Sequence, residues 1–248
     1  MDEPLRSLAG DLRTADSAVA LTGAGVSTAS GIPSFRGQDG IWGEEFDPES
    51  FHIRRFETDP VGFWEDRICL REQIRPDAVE PNAAHNALAR LEACGALSAI
   101  ITQNTDRLHS AAGSRQVLEL HGNAQRVVCH WCGERRDAEW AHEVAKGSGE
   151  PPTCSCGGIY KPAVVLFGES LDPDTADEAR QLVGGSDVLL VAGTSLQVDP
   201  AASLPAQRQG ATLAVINLET TPFTANADYD IREDVTEVLP RLAQAVCE

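Results

Sequence analysis

The sequence is poor in lysine, methionine and tyrosine, and it has no long hydrophobic run. Only two of its 20 basic residues are lysine, Lys146 and Lys161, and it holds one methionine and two tyrosines. No stretch of 18 apolar residues occurs, which excludes a membrane-spanning helix of ordinary length. The N-terminus has neither the basic nor the apolar region of a secretory signal, so we expect a cytoplasmic protein with no membrane contact.

Acidic residues outnumber basic ones, 38 against 20, which gives a formal net charge of -18. Such a surface suits a cytoplasm holding molar salt, where the Debye length falls to about 3 Å and self-repulsion is screened. A GC-rich genome, which favours arginine codons over lysine codons, is the alternative explanation; we favour a halophilic host. No basic stripe is visible, so we expect no direct nucleic-acid binding.

Seven cysteines, an odd number without an export signal, argue against a disulfide framework. Cys69, Cys94 and Cys247 are scattered along the chain, and we interpret them as small residues that are buried or half-buried.

The other four cysteines form two close pairs with a spacing typical of zinc sites. They are Cys129, Cys132, Cys154 and Cys156. The first pair has the usual C-x2-C spacing, the second is one residue tighter, and 21 residues separate the pairs. Because four thiolates fill a tetrahedron, the pattern predicts one structural Zn2+. A redox-active cysteine pair is the alternative.

Strand-like and helix-like segments alternate along most of the chain. The predicted helices are residues 1–18, 81–94, 174–183, 201–209 and 235–246. The predicted strands are residues 19–22, 97–102, 117–120, 164–167, 188–192 and 213–216. Several strands are continuous apolar runs, as expected of parallel strands buried on both faces. The alternation predicts an α/β protein with a doubly wound parallel sheet of Rossmann-like type.

Two stretches interrupt the alternation. Residues 36–80 are rich in aromatics, charges and proline, and residues 122–163 hold the cysteine cluster. The predicted organisation follows from these interruptions. It has a Rossmann-like domain built from residues 1–35, 81–121 and 164–248, a helical insert at 36–80, and a small zinc-binding module at 122–163.

A glycine-rich turn, Gly23-Ala24-Gly25, follows the first predicted strand, as in many nucleotide-binding proteins. The dehydrogenase fingerprint fails, because its third glycine would fall at Thr28 and no acidic residue stands about 20 positions on to hold the ribose. Polar segments at 102–109, 121–123 and 193–195 also end strands. Open α/β sheets bind ligands where such strand ends meet, so these segments predict one common crevice.

Together these segments resemble the sirtuins, the NAD-dependent protein deacylase family of silent-information-regulator type. The matching motifs are GAGVSTASGIPSFRG (23–37), TQNTDRLH (102–109), ELHGN (119–123), KPAVVLFGE (161–169), GTSLQVDP (193–200) and INLE (216–219), together with the four cysteines. The resemblance implies an NAD-dependent protein-lysine deacetylase. Such an enzyme converts acetyl-lysine and NAD to lysine, nicotinamide and O-acetyl-ADP-ribose.

The resemblance also implies roles for individual residues. His121 would be the general base, Asn104 would lie near the ribose and the water, and Asp106 would orient the nicotinamide pocket. The implied cofactor-binding residues are Gly23, Ala24, Gly25, Phe35, Arg36, Gln103, Asn104, Asp106, Gly193, Thr194, Ser195, Asn217, Leu218, Glu219 and Val235. The residues implied to pair with an extended acyl-lysine peptide are Val164, Val165, Leu166, Phe167 and Gly168.

Some positions depart from the family pattern. Thr105 and Arg107 stand where isoleucine and glycine are common, so Thr105 would make the nicotinamide pocket more polar. The Tyr-x-x-Arg pair of the desuccinylase branch is absent, although Arg67 stands in that region; we expect no preference for dicarboxylic acyl groups.

Other functions remain open at this point. The alternatives are mono-ADP-ribosyl transfer in the same site, removal of other acyl groups, and a zinc-ribbon module that binds ADP-ribose without turnover. The expected partners are proteins bearing acetyl-lysine, with chromatin-associated proteins suggested by analogy alone.

Overall fold

The structure is a computed structural model that describes residues 3–34, 46–74 and 79–248. The helices are α1 Glu3–Thr14, α2 Ile53–Thr58, α3 Pro60–Ile74, α4 Ala83–Ala93, α5 Leu108–Ala111, α6 Ala138–Ser148, α7 Pro173–Gly184 and α8 Val235–Cys247. The strands are β1 Ala18–Thr22, β2 Ala99–Thr102, β3 Val117–Glu119, β4 Gly122–Cys129, β5 Arg135–Asp137, β6 Tyr160–Val164, β7 Val188–Ala192, β8 Thr212–Ile216 and β9 Tyr229–Ile231. Among these residues, no helix is long and apolar enough to cross a membrane.

Six strands form one parallel sheet in the order β3-β2-β1-β7-β8-β9. Every residue of β1, β2 and β7 is buried, because apolar side chains cover both faces of the strand. The order reverses direction between β1 and β7, which creates a crevice at their carboxyl ends. The predicted doubly wound α/β sheet is therefore confirmed.

Alternate residues of the strands point into two separate cores. In β1, Ala18 and Ala20 pack with α1, α4 and α8 on one face, while Val19 and Leu21 pack with α7 on the other. Each helix presents an apolar stripe to its core, as Leu5, Leu8 and Leu12 do in α1. The sheet is thus covered on both sides and its carboxyl edge is left open.

A smaller unit lies beside this edge. The antiparallel strands β5, β4 and β6 form a three-stranded sheet in that order, which packs through a shared apolar core against α2, α3 and α6. The helices α2 and α3 lie within residues 36–80, the stretch for which a helical insert is expected.

Two predicted elements differ from the structure. Residues 164–167 are not a strand of the parallel sheet: β6 ends at Val164 and pairs antiparallel with β4. Beyond it the chain turns at Gly168, whose φ is 81°, and a side chain there would run into the ring of His52. The helix predicted at 201–209 is a 3-10 segment over Ala201–Gln207, because Pro205 within it has no N–H to donate.

The expectation for the scattered cysteines is right for Cys247, which is half-buried, and wrong for Cys94, which is exposed. Cys94 and Cys247 form a disulfide that joins the end of α4 to the end of α8, and Cys69 is exposed. The two helices pack along each other, which brings residues 153 positions apart into bonding distance. This pairing depends on tertiary packing, and the sequence spacing carries no sign of it.

Candidate functional site

The turn after β1 packs directly on the turn after β7, at the point where the strand order reverses. The amide of Gly25 donates to the carbonyl oxygen of Gly193 at 2.8 Å. A Cβ on Gly25 would lie 2.8 Å from that oxygen, and a Cβ on Gly193 would lie 2.6 Å from the amide nitrogen of Val26. Both glycines are required by this close approach, which leaves bare backbone facing the crevice.

A cavity of about 640 Å3 occupies the crevice and extends toward the smaller unit. The predicted site residues that line it are Gly23, Ala24, Gly25, Gln103, Asn104, His121, Val164, Val165, Leu166, Phe167, Gly168, Gly193, Thr194, Ser195, Asn217, Leu218, Glu219 and Val235. Asp106 instead lines an adjoining cavity of about 290 Å3, which shares Asn104 and Thr105 with the first. Phe35 and Arg36 lie outside the described residues.

His121 follows β3 and faces the larger cavity. Its Nδ1–H donates to the backbone carbonyl of Gln103 at 2.9 Å, which fixes the tautomer and leaves Nε2 as an acceptor. Burial lowers the pKa of His121 below its ordinary value, and the hydrogen bond to Gln103 partly opposes this effect. The imidazole is therefore neutral at pH 7 and able to accept a proton.

Gln103 reaches across to the other side of the crevice. Its side-chain amide donates to Thr194 Oγ1 at 2.9 Å and to the Thr22 carbonyl oxygen at 3.3 Å. The group that bonds His121 is the backbone carbonyl of Gln103 and not this side chain. The side chain thus ties the end of β2 to the turn after β7.

Asn104 and Asp106 meet at a serine that the sequence analysis did not single out. The Asn104 amide donates to Ser27 Oγ at 3.0 Å, and the Ser27 hydroxyl donates to Asp106 Oδ2 at 2.7 Å. Ser27 is almost completely buried at 1% exposure. The three side chains form one hydrogen-bonded network between the two cavities.

A buried histidine completes this network. His85 Nδ1 accepts the backbone N–H of Asn82 at 3.3 Å, so its Nε2 carries the proton and faces Ser27 Oγ at 3.4 Å. Burial lowers the pKa of His85 to about 4, although the negative charge of Asp106 acts to raise it. Asn82 caps α4, and a histidine three residues after a cap is the signal in the sequence PNAAH that could have revealed this position.

Two departures from the family pattern have visible consequences. Thr105 lines both cavities. Arg107 has a φ of 67°, in the left-handed region that favours glycine, and it precedes α5. A side chain is therefore tolerated at this turn at a conformational cost of about 1 kcal/mol.

Arg67, on α3, is a second residue of note. It lines both cavities, its Nε has no hydrogen-bond partner, and among the described residues no carboxylate lies within ion-pair distance of it. Burial, together with the nearby charge of Arg71, lowers the pKa of Arg67 to about 10. It remains a cation at neutral pH, and it faces the cavities with no ion-pair partner among the residues that the structure describes.

The four clustered cysteines lie together at the far end of the smaller unit. All four sulfur atoms lie within 4.8 Å of one another, and two pairs of them, Cys129 with Cys156 and Cys132 with Cys154, lie 3.5 and 3.6 Å apart. A tetrahedral zinc with bonds of about 2.3 Å needs sulfur separations of about 3.8 Å. The donor set and spacing fit a structural zinc ion with no open position.

The sheet topology and crevice define an open α/β protein of the nucleotide-binding class, with a cysteine-rich module inserted beside the site. The model of the Sir2 family matches residues 23–200. An NAD-dependent protein deacetylase of Haloarcula marismortui is 56% identical over 246 residues, covering 98% of this chain and 94% of the relative. The chain belongs to the Sir2 family.

Solved structures agree with this assignment. A Sir2 homologue in complex with NAD superposes with a TM-score of 0.88 at 41% identity, covering 99% of this chain and 94% of its own. A Sir2 complex with a p53 peptide and NAD+ gives a TM-score of 0.88 at 36% identity, covering 98% of each chain.

Proposed function

We propose that this protein is an NAD-dependent protein-lysine deacetylase. The observation that carries the proposal is the state of His121. Its Nδ1–H donates to the Gln103 carbonyl, so the neutral ring carries no proton on Nε2. The ring lies at the edge of a large cavity, where the strand order reverses. A base in this protonation state can take a proton from a hydroxyl group at neutral pH. The relatives' names and the bound NAD of the neighbouring structures support the same activity.

The cavity fits NAD on its own features. Its volume lies in the range of cofactor sites. Gly23, Gly25 and Gly193, where a Cβ would collide with the facing turn, let two backbone turns pack together at the cavity wall, where backbone groups can approach a pyrophosphate. When bound, NAD supplies a ribose carbon from which nicotinamide can leave and to which the acetyl oxygen of the substrate can add.

Different groups of residues along the cavity bind different parts of NAD in this proposal. In this proposal Gly23, Ala24, Gly25, Gly193, Thr194 and Ser195 hold the phosphates, and Asn217, Leu218, Glu219 and Val235 hold the adenosine. Gln103 and Asn104 lie at the nicotinamide ribose and Asp106 orients the nicotinamide pocket, with Asn104 and Asp106 fixed through Ser27. His121 accepts the ribose proton. Phe35 and Arg36 are assigned to the cofactor by resemblance.

The segment from Val164 to Gly168 is the proposed binding site for the peptide. The carbonyl of Val165 and both backbone groups of Gly168 have no hydrogen-bond partner within the described part of the chain. An extended peptide can pair with such groups, which gives affinity with little selectivity for side chains. The substrates would be proteins that present acetyl-lysine in an exposed segment, and chromatin-associated proteins are one such class.

The remaining assignments follow from composition and donor chemistry. We assign one structural Zn2+ to the four cysteines, as the sulfur spacing supports. The net charge of -18 and the high identity to a protein from Haloarcula support a halophilic host and a cytoplasmic location.

Arg67 favours one second candidate function, the removal of acyl groups that end in a carboxylate. Its guanidinium group faces both cavities and has no anion among the described residues. Opposite charge in a low-dielectric cavity would hold such an acyl chain. A change of Arg67 to Met would lower activity on a succinyl-lysine peptide and spare an acetyl-lysine peptide if this function is real.

Mass spectrometry in high KCl tests the proposed activity. Acetyl-lysine and succinyl-lysine peptides of one sequence are incubated with and without NAD. We expect deacetylated peptide, nicotinamide and O-acetyl-ADP-ribose only when NAD is present. Folded, zinc-loaded protein that leaves the acetyl peptide intact would contradict the proposal, and ADP-ribosylated protein would point to the transferase alternative.

A further inference from the structure

The proposed peptide segment is not held by a regular sheet. β6 ends at Val164, and the backbone continues through residues 165–168 without strand pairing apart from one bridge between Phe167 and His52. A segment that recognises a peptide through its own backbone must nevertheless be fixed, because misplaced groups cannot pair.

A buried lysine supplies part of this support. Lys161, in β6, has a side chain only 10% exposed. Its Nζ donates to the carbonyl oxygens of Pro162 at 3.2 Å and Val164 at 2.9 Å, and to Glu169 Oε2 at 2.9 Å. An ammonium group has three N–H donors, so this one is fully used.

Glu169 closes the segment from its other end. The same Oε2 that pairs with Lys161 accepts the backbone N–H of Leu166 at 2.8 Å, and the Glu169 N–H donates to the Leu166 carbonyl at 3.0 Å. Next to this contact, the Val165 N–H donates to the carbonyl oxygen of His121 at 2.9 Å. The ion pair therefore sets the segment's position relative to the proposed base.

The composition of the chain makes this lysine unusual. Only two lysines occur among 20 basic residues, and the other, Lys146, lies on the surface and pairs with Glu72. A compact ammonium directs three donors to acceptors on three sides, whereas the planar guanidinium group of arginine cannot. A buried ion pair gives little net stability compared with apolar side chains of the same volume. We therefore expect the ion pair to serve by holding the backbone atoms that it bonds in fixed positions.

We propose that Lys161 and Glu169 are positioning residues for the acyl-lysine peptide: their buried ion pair fixes the backbone of residues 164–168 against the cavity. This inference rests on the proposed deacetylase function. Loss of the pair should therefore weaken binding of the peptide and leave binding of NAD unchanged, because the nucleotide end of the cavity stays intact.

The test compares variants that differ in charge and in acceptor. In Lys161→Met with Glu169→Leu, both charges are removed, so no unpaired buried charge is left and the protein can fold. We expect the KM for an acetyl-lysine peptide to rise at least tenfold, and the KM for NAD to stay within twofold. Lys161→Met with Glu169→Gln also leaves no unpaired charge but keeps an acceptor for the Leu166 N–H, and its peptide KM should lie between that of the apolar double variant and that of the wild type.

The other lysine provides the matched control. Lys146→Met with Glu72→Leu removes the same two charges from the surface, and it should leave both KM values unchanged. Anisotropy of a labelled acetyl-lysine peptide measures binding independently of turnover, and it should show the same tenfold loss for the buried pair alone.

Two results would overturn the inference. The first is a folded, zinc-containing Lys161→Met, Glu169→Leu protein whose peptide KM stays within twofold of wild type. The second is an equal rise in the KM for NAD, which would indicate a general structural role. Failure of the proposed function would be visible separately, as a wild-type protein that neither binds nor deacetylates the peptide, and it would remove the inference with it.

Discussion

The state of a single imidazole decides what the crevice can do. His121 donates one ring proton to the Gln103 carbonyl, and burial lowers its pKa, so that Nε2 keeps a free electron pair at neutral pH. A protein that only binds a nucleotide has no need of a base poised in this way. In the proposed function, proton transfer therefore depends on a protonation state that the backbone of Gln103, directly after β2, fixes.

Replacing His121 should separate binding from turnover. His121→Ala removes the base and leaves the glycine turns and Gln103 in place, so NAD affinity measured by calorimetry should stay within about threefold. Turnover of the acetyl peptide should fall by about 10²–10⁴, the usual contribution of a general base. Unchanged turnover in the variant would contradict the mechanism.

Two other histidines make stability depend on pH. Burial lowers the pKa of His85 to about 4 and that of His109 to about 3, and nearby His85 adds to the effect on His109. Both are lower than the unfolded value of about 6.5, so the unfolded chain binds protons first as the pH falls. Stability from the neutral rings is complete above pH 6.5 and is lost progressively below it.

His109→Gln should weaken this dependence. Between pH 8 and pH 5 we expect the free energy of unfolding of the variant to fall by about 1 to 2 kcal/mol less than that of wild type. Urea unfolding in high KCl measures the difference. His130→Gln, at an exposed histidine, is the control and should keep the wild-type slope; equal slopes in all three proteins would refute the assignment.

Residue types next to strand ends were predictable, and their buried partners were not. His121 and Asn104 occupy polar positions directly after strands, where an open sheet places ligands. Ser27 and His85 matter through contacts 58 residues apart in sequence, and no local pattern announces that pairing. Arg67 was visible as a residue, but its position facing both cavities, with no carboxylate partner in the described part of the chain, is a property of the fold.

Helices α4 and α8 meet both at the site and at the disulfide. Asn82, the N-cap of α4, lies beside the Ser27 network, and α8 begins at the cavity-lining Val235. The far ends of the two helices are joined through Cys94 and Cys247. The bond closes a loop of 153 residues, for which the chain-entropy relation gives about 5 kcal/mol.

Opening this disulfide should lower stability. Cys247→Ser, or reduction of the wild type with dithiothreitol, should reduce the free energy of unfolding by up to about 5 kcal/mol in urea titrations. Cys69→Ser removes an exposed thiol without a disulfide and serves as the control. A Cys247→Ser protein as stable as the control would contradict the expectation.

Apolar periodicity predicted most of the elements, and tertiary context decided the rest. The strand at Val188–Ala192 has the predicted bounds because its apolar run is unbroken. The apolar run at 164–167 has the same appearance, yet β6 pairs with β4, because periodicity cannot tell which sheet a short strand joins. β9, Tyr229–Ile231, was missed because three residues carry too little pattern.

At the scale of the whole molecule, charge is the dominant feature. A net charge of -18 on 248 residues produces repulsion that low salt leaves unscreened and molar salt suppresses. The described ion pairs are mostly exposed, so they add little to compensate.

Folding should therefore require salt. We expect the free energy of unfolding in urea to rise steadily between 0.1 and about 3 M KCl, since the screening length falls from about 10 Å to about 3 Å or less. An equal concentration of a neutral osmolyte is the control, because an uncharged solute does not screen the repulsion between carboxylates. A stability independent of KCl would instead favour codon usage as the reason for scarce lysine.

The contact between Gly25 and Gly193 also limits how this chain can evolve. At most packed pairs of residues, a substitution to a larger side chain can be compensated by a substitution to a smaller side chain at the partner. Here the nearest obstructing atom on each side belongs to the backbone, and both partners already have no side chain to lose. No second substitution at the partner can therefore rescue a first one, so descendants of this sequence can vary freely around the contact and must keep both glycines.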